Sequence, residues 1–117
     1  MRILILGCTK IAISLLAELV DGGHDVAIVA EDSHALQNIQ QRFDVQVVVG
    51  RPTYPDILRS IGAEKADVMI AVTRSDEGNM VACQVAYSLF KIPLKIAKIE
   101  SEHYLIRNEL YGNDNLP

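Results

Sequence analysis

Five short, strongly apolar runs alternate along the chain with stretches of helical spacing. The runs cover residues 2–6, 26–29, 45–49, 68–72 and 95–99. Several are apolar throughout instead of alternating with polar residues. A strand of that kind needs cover on both faces, and a parallel sheet flanked by helices supplies it.

The intervening segments read as helices. In the first, Ala12, Leu15, Leu16, Leu19 and Val20 share one face, and Gly22-Gly23 ends it. In the second, Ala35, Leu36, Ile39 and Phe43 do the same after Asp32 or Ser33. The third is short: Thr53 is expected to cap it, with Pro55 in the first turn and Asp56 at capping-box spacing. The fourth is expected over residues 76–90, with Pro93 just beyond, and a last helix over 102–111.

Strand–helix alternation predicts an α/β fold of three layers, a doubly wound parallel sheet of the Rossmann type. Right-handed crossovers favour the strand order 3-2-1-4-5. The 117 residues suit one domain, with 112–117 a polar, frayed tail. Ligands in such sheets bind beyond the carboxyl ends of the strands, near the switch point between strands one and four.

The formal net charge of -4 lacks the basic footprint of a nucleic-acid binder. No apolar run reaches the ~20 residues of a membrane span, and no signal peptide is read at the start. Cys8 and Cys83 form no spaced framework, which suits a reducing cytosol. A cytoplasmic chain is therefore expected, reaching a membrane only through a partner.

The first strand runs into Gly7-Cys8-Thr9-Lys10-Ile11-Ala12, where a dinucleotide fold carries G-x-G-x-x-G/A. Gly7 suits the tight turn and Ala12 is accepted at the third position. Thr9 replaces the glycine that lets the backbone approach a pyrophosphate. Its side chain is expected to crowd the phosphate, or its hydroxyl to donate one hydrogen bond to it. Ala30 stands where an acid would bind the ribose, and Glu31 and Asp32 follow one and two residues late. If a nucleotide binds, its phosphates belong over residues 7–12, beside Thr73 and Arg74. The ribose then falls near Ala30 and Glu31, and the base near Arg51, Pro52 and Thr53. A Rossmann turn without a ligand stays open as the alternative.

Residues 71–90, AVTRSDEGNMVACQVAYSLF, carry the chain's most specific pattern. Gly50-Arg51-Pro52-Thr53-Tyr54-Pro55-Asp56-Ile57-Leu58 with Gly62-Ala63, and Ile96-Ala97-Lys98-Ile99, add to it. With these motifs the chain closely resembles the RCK, or TrkA-N, family of regulatory domains of bacterial potassium-uptake systems. The resemblance implies a subunit without chemistry of its own, peripheral to the inner membrane beneath a membrane potassium transporter. It also implies assembly as homodimers or larger rings, and binding of NAD(H), ATP, ADP or AMP that biases transport. Thr9, Ala12 and Ala30 depart from the family's ligand motif, and Glu100 stands where an arginine is common.

Rival patterns are weaker. Tyr87-x-x-x-Lys91 with Ser75 upstream mimics the serine–tyrosine–lysine set of a nicotinamide-dependent reductase. The short chain leaves little room for a substrate pocket, so Tyr87 is read as a packing residue. His24, His34 and His103 lack metal-ligand spacing. Cys8 is either a thiol activated by the helix start or a small buried one. Lys10, Arg51 and Arg74 fall at carboxyl-end loops. On the fourth helix Val81, Ala82, Val85, Ala86 and Leu89 form one apolar stripe, and Met80, Cys83, Tyr87 and Phe90 a second. Two stripes imply an oligomer contact or cover from the last helix. A ligand-free assembly domain remains the third reading.

Overall fold

The computed structural model describes residues 1–104. Residues 102–104 form a turn; the rest of the expected 102–111 helix and the 112–117 tail lie outside the described residues. The strands are β1 (Arg2–Leu6), β2 (Asp25–Ala30), β3 (Gln46–Val49), β4 (Val68–Ala71) and β5 (Leu94–Ala97). All neighbours pair in parallel, in the order β3-β2-β1-β4-β5. This is the doubly wound order that the alternation predicts. β5 starts directly after Pro93, one residue earlier than the apolar run suggests, and ends at Ala97.

The helices are α1 (Lys10–Asp21), α2 (Ser33–Arg42), α3 (Pro55–Ser60) and α4 (Asp76–Val85). Side-chain alternation along β1 divides the core in two. Ile3 and Ile5 face Ala12 and Leu16 of α1 and Leu36 and Ile39 of α2. Leu4 and Leu6 face Leu58 of α3 and Ala82 of α4. Ile5, Leu6, Leu16 and Ile28 are all fully buried. Each such side chain stabilises the fold by about 1.5–3 kcal/mol.

Asp32 caps α2, its carboxylate accepting from Ala35 N–H at 3.1 Å. Thr53 does not cap α3. The cap position falls on Tyr54, with no side-chain bond, because Pro55 occupies the first turn and fixes the residue before it as extended. The fourth helix also departs from expectation. After Val85 it widens into a π-turn over Ala86–Phe90, closed by Lys91 at φ +53°. Neither apolar stripe is wholly buried: Val81, ahead of the π-turn, is already half exposed. Ala86 and Phe90 are buried, whereas Tyr87 and Leu89 are 46% and 54% exposed. Tyr87 is thus not part of the core of this chain.

Candidate functional site

A cleft of about 340 Å3 opens at the carboxyl ends of the central strands. Gly7, Cys8 and Thr9 line it from β1, Ala30, Glu31 and Asp32 from β2, Arg51, Pro52 and Thr53 from β3, and Thr73, Arg74, Ser75 and Gly78 from β4 and α4. The residues assigned from sequence to the two ends of a nucleotide thus share one cavity. Lys10, Ile11 and Ala12 do not line it. Ala12 is buried in the core, and Lys10 and Ile11 are exposed at the start of α1. Asp32, Ser75 and Gly78 line it without having been assigned.

Gly7 adopts φ +110°, a conformation reserved in practice for glycine. A Cβ built there would lie 2.9 Å from Thr73 Cα, Thr73 N and Val72 O, all backbone atoms. The turn after β1 therefore sits directly against the end of β4. Gly7 N–H also donates to Val29 O at 2.8 Å, joining it to β2.

Thr9 is the N-cap of α1. Its hydroxyl oxygen accepts from Ala12 N–H at 3.2 Å and its proton goes to Val72 O at 3.0 Å. The hydroxyl is thus committed within the fold and not held for a phosphate, which corrects the expectation that it donates to one. Replacing Thr9 with alanine should cost about 1–2 kcal/mol, since it removes the cap and the tie to β4. Urea unfolding of Thr9→Ala beside Thr9→Ser checks this, and serine, which keeps the hydroxyl, should avoid most of the loss.

On the β2–β3 side, Ala30 is 4% exposed and presents no polar group. Glu31 and Arg51 pair above it, Oε1 to Nε at 3.4 Å, with both side chains more than half exposed. Arg51 also reaches Tyr54, Nη1 to the hydroxyl at 3.4 Å, with the guanidinium 5.4 Å from the ring centroid. The Tyr54 hydroxyl and the Glu31 carboxylate both favour the charged guanidinium. Burial pushes the Cys8 thiol above its ordinary value, and the Asp32 carboxylate adds to that. Cys8 is a protonated wall of the cleft and not an activated thiolate.

The β4 side is built around Asn79, the one buried polar side chain among the described residues. Its Oδ1 accepts from Thr73 N–H at 3.0 Å and from the Thr73 hydroxyl at 2.6 Å. Its Nδ2 donates to Thr73 O at 3.2 Å and Lys98 O at 2.8 Å. Ser75 caps α4, accepting from Gly78 N–H at 2.9 Å. The next residue, Asp76, grips the chain leaving β5. Its two carboxylate oxygens accept from Glu100 N–H at 3.0 Å and Ser101 N–H at 2.8 Å. Glu100 pairs with Lys98 Nζ at 2.8 Å.

The Glu100 and Ser101 amides, with Lys98 assisting, hold the Asp76 carboxyl below the usual carboxylate range. A depressed folded value means that the unfolded chain binds the proton more readily. The stabilisation is therefore complete above the ordinary Asp value of about 3.9 and is lost as pH falls through the folded value. An NMR titration should show the Glu100 and Ser101 amides shifting together below pH ~3.9. Titration of Asp76 at or above the ordinary value would contradict the grip.

The reductase-like set is not assembled. Ser75 lines the cleft, whereas Tyr87 lies twelve residues on, roughly 18 Å along the helix. The Tyr87 ring is flanked by Lys91 and Lys95, whose Nζ atoms are 5.5 and 5.4 Å from its centroid. Burial pushes the Cys83 thiol up to about 11. Among the described residues no cluster of His, Cys, Asp and Glu could hold a metal ion. No described helix is long and apolar enough to cross a membrane.

Over residues 3–114 the sequence matches the TrkA-N domain. The Trk system potassium uptake protein TrkA of Haemophilus influenzae is 44% identical over 118 residues, covering all of this chain and 26% of that protein. The chain thus spans about a quarter of that relative's length. The GsuK channel bound to NAD superposes with a TM-score of 0.74 at 25% identity, covering 90% of this chain and 19% of that one. The TrkA-N domain of the inner membrane protein ybaL from Escherichia coli gives 0.81 at 15% identity, covering 87% and 75%. With the doubly wound sheet, the cleft at its switch point and a match along nearly its whole length, this chain belongs to the TrkA-N domain family.

Proposed function

We propose that the chain is the nucleotide-binding regulatory part of a bacterial potassium-uptake system, without catalysis of its own. The observation that carries the reading is the cleft at the β1–β4 switch point of a TrkA-N domain. The residues present fit an adenine nucleotide, NAD(H) or ATP, ADP or AMP. Gly7 keeps the turn flat against β4, and the first-turn amides of Lys10 and Ile11 have no acceptor within their own helix. Such amides and the helix dipole favour phosphate. Thr73 and Arg74 form the opposite wall, and the β2–β3 loops take the ribose and base.

Regulation follows from how the walls are tied. Thr73 and Ser75 line the cleft, Asn79 bonds Thr73 to Lys98, and Asp76 bonds the chain beyond it. A ligand that favours one position of the β4–α4 loop thereby favours one position of the segment after β5. Its leverage is its difference in affinity between the two. The partner on this reading is a membrane potassium transporter, with the chain on the cytoplasmic side. Val81 and Leu89 on the fourth helix and Leu94 and Ile96 on β5 are about half exposed and support a homo-oligomer.

Calorimetry of the purified protein with NADH, ATP and ADP tests the reading, with native mass spectrometry for co-purified nucleotide. Saturable binding by at least one is expected, and its absence in both measurements favours the ligand-free assembly domain. Turnover of NADH in a hydride-transfer assay would favour the reductase instead. Sedimentation at high concentration should show a dimer or larger species, and monomer alone would remove the assembly part.

A further inference from the structure

We propose that the cleft prefers an adenosine carrying a 2′-phosphate, as in NADP(H), over one with a free ribose diol. The inference rests on the nucleotide reading above and names the ligand class of the same site. An acid at the end of β2 selects the diol, because a carboxylate accepts from its hydroxyls and repels a phosphate; an arginine nearby does the reverse. Ala30 holds that position, small, 4% exposed and without a polar atom to offer. Arg51, from the adjacent strand end, lines the same cleft and pairs with the residue after Ala30, Glu31.

The Arg51 guanidinium is held there by two neighbours. The Tyr54 ring and hydroxyl support it on its own loop, and the Glu31 carboxylate lies 3.4 Å from its Nε. Glu31 thus occupies the anion position of this corner with a single charge. Its side chain is 64% exposed, so a rotation into solvent releases Arg51 without opening the core. A phosphate carries more charge and three acceptor oxygens, and it pairs with the planar guanidinium through two parallel bonds. Asp32, the other acid in this wall, is engaged with Ala35 N–H as the cap of α2 and keeps its place.

Calorimetry with NADPH, NADH, 2′-phospho-AMP and AMP tests this, at one salt concentration. NADPH should bind about tenfold or more tighter than NADH, and 2′-phospho-AMP should exceed AMP by a similar factor. The second pair separates the 2′-phosphate from everything the nicotinamide half contributes. Arg51→Gln should bring both ratios close to one, Glu31→Gln should raise them, and Ala30→Asp should invert them. NADH binding as tightly as NADPH, or an Arg51→Gln protein that keeps its preference, overturns the inference and leaves the nucleotide reading standing. Failure of all four ligands to bind overturns the inference, and failure of ATP and ADP as well overturns the nucleotide reading with it.

Discussion

Replacing Gly7 with alanine is expected to lower stability by about 3 kcal/mol or more. Two effects add. A non-glycine residue at φ +110° costs on the order of 1–3 kcal/mol by itself. The new Cβ also meets three backbone atoms at 2.9 Å, from Val72 and Thr73. Backbone at the end of a central strand cannot yield as a side-chain tip can, so β4 or the turn must shift. Against a total stability of about 5–15 kcal/mol, the loss is large. Thermal melting should show a drop on the order of 10 °C or more. Gly23→Ala is the control, because Gly23 has φ +83° with nothing within 4 Å of its would-be Cβ. It reports the backbone conformation alone, and the excess at Gly7 reports the collision. Equal losses at the two positions would mean that the turn yields freely.

The second large effect is expected at Asn79. Asn79→Ala strands the Thr73 N–H, the Thr73 carbonyl and the Lys98 carbonyl, and leaves a void beside them. Each buried group without a partner costs about 1–3 kcal/mol. The Asn79 side chain itself is wholly buried, whereas Thr73 and Lys98 are half-buried, so the three losses do not all reach the upper figure. A total of about 3–4 kcal/mol is expected in denaturant unfolding. Asn79→Asp distinguishes bonding from volume. It fills the same space and keeps the acceptor, yet it replaces both Nδ2 donations with a buried charge. It should be at least as damaging as alanine, and a near-native midpoint would show that shape, not bonding, holds this corner.

Much of the architecture was legible because β1, β2 and β4 are apolar on both faces, as their double burial demands. The strand order follows from chain chirality once the alternation is recognised. The cleft's position follows too, since the switch point is set by that order. Local geometry was harder to read. Thr9 looks like a misplaced glycine in a phosphate motif, but it is also an ordinary helix cap, and the cap reading describes its hydroxyl. Thr53 carries the better capping signal on paper, yet Pro55 moves the cap one residue on. Asn79 sits in an apolar helix with nothing in its spacing to mark it, because its partners are 6 and 19 residues away. The π-turn left no signal either. Regular helical counting ran through Ala86–Phe90 and so missed the change of pitch there. The Glu31–Arg51 pair joins two loops that only the fold brings together.

The order of the sheet also governs when the chain can acquire its structure during synthesis. β1 is made first, but it lies in the middle and needs β2 on one side and β4 on the other. Both halves of the core include β4 side chains, Val68 and Ile70 in one and Met69 and Ala71 in the other. A nascent chain that ends before β4 has emerged can pair β1, β2 and β3, but it leaves one edge of the strongly apolar β1 open. Neither hydrophobic layer closes until then. The ribosome must therefore release residue 71 before the first six residues reach their final surroundings. Until that point the exposed edge of β1 is a surface that chaperones would recognise and that other nascent chains could join.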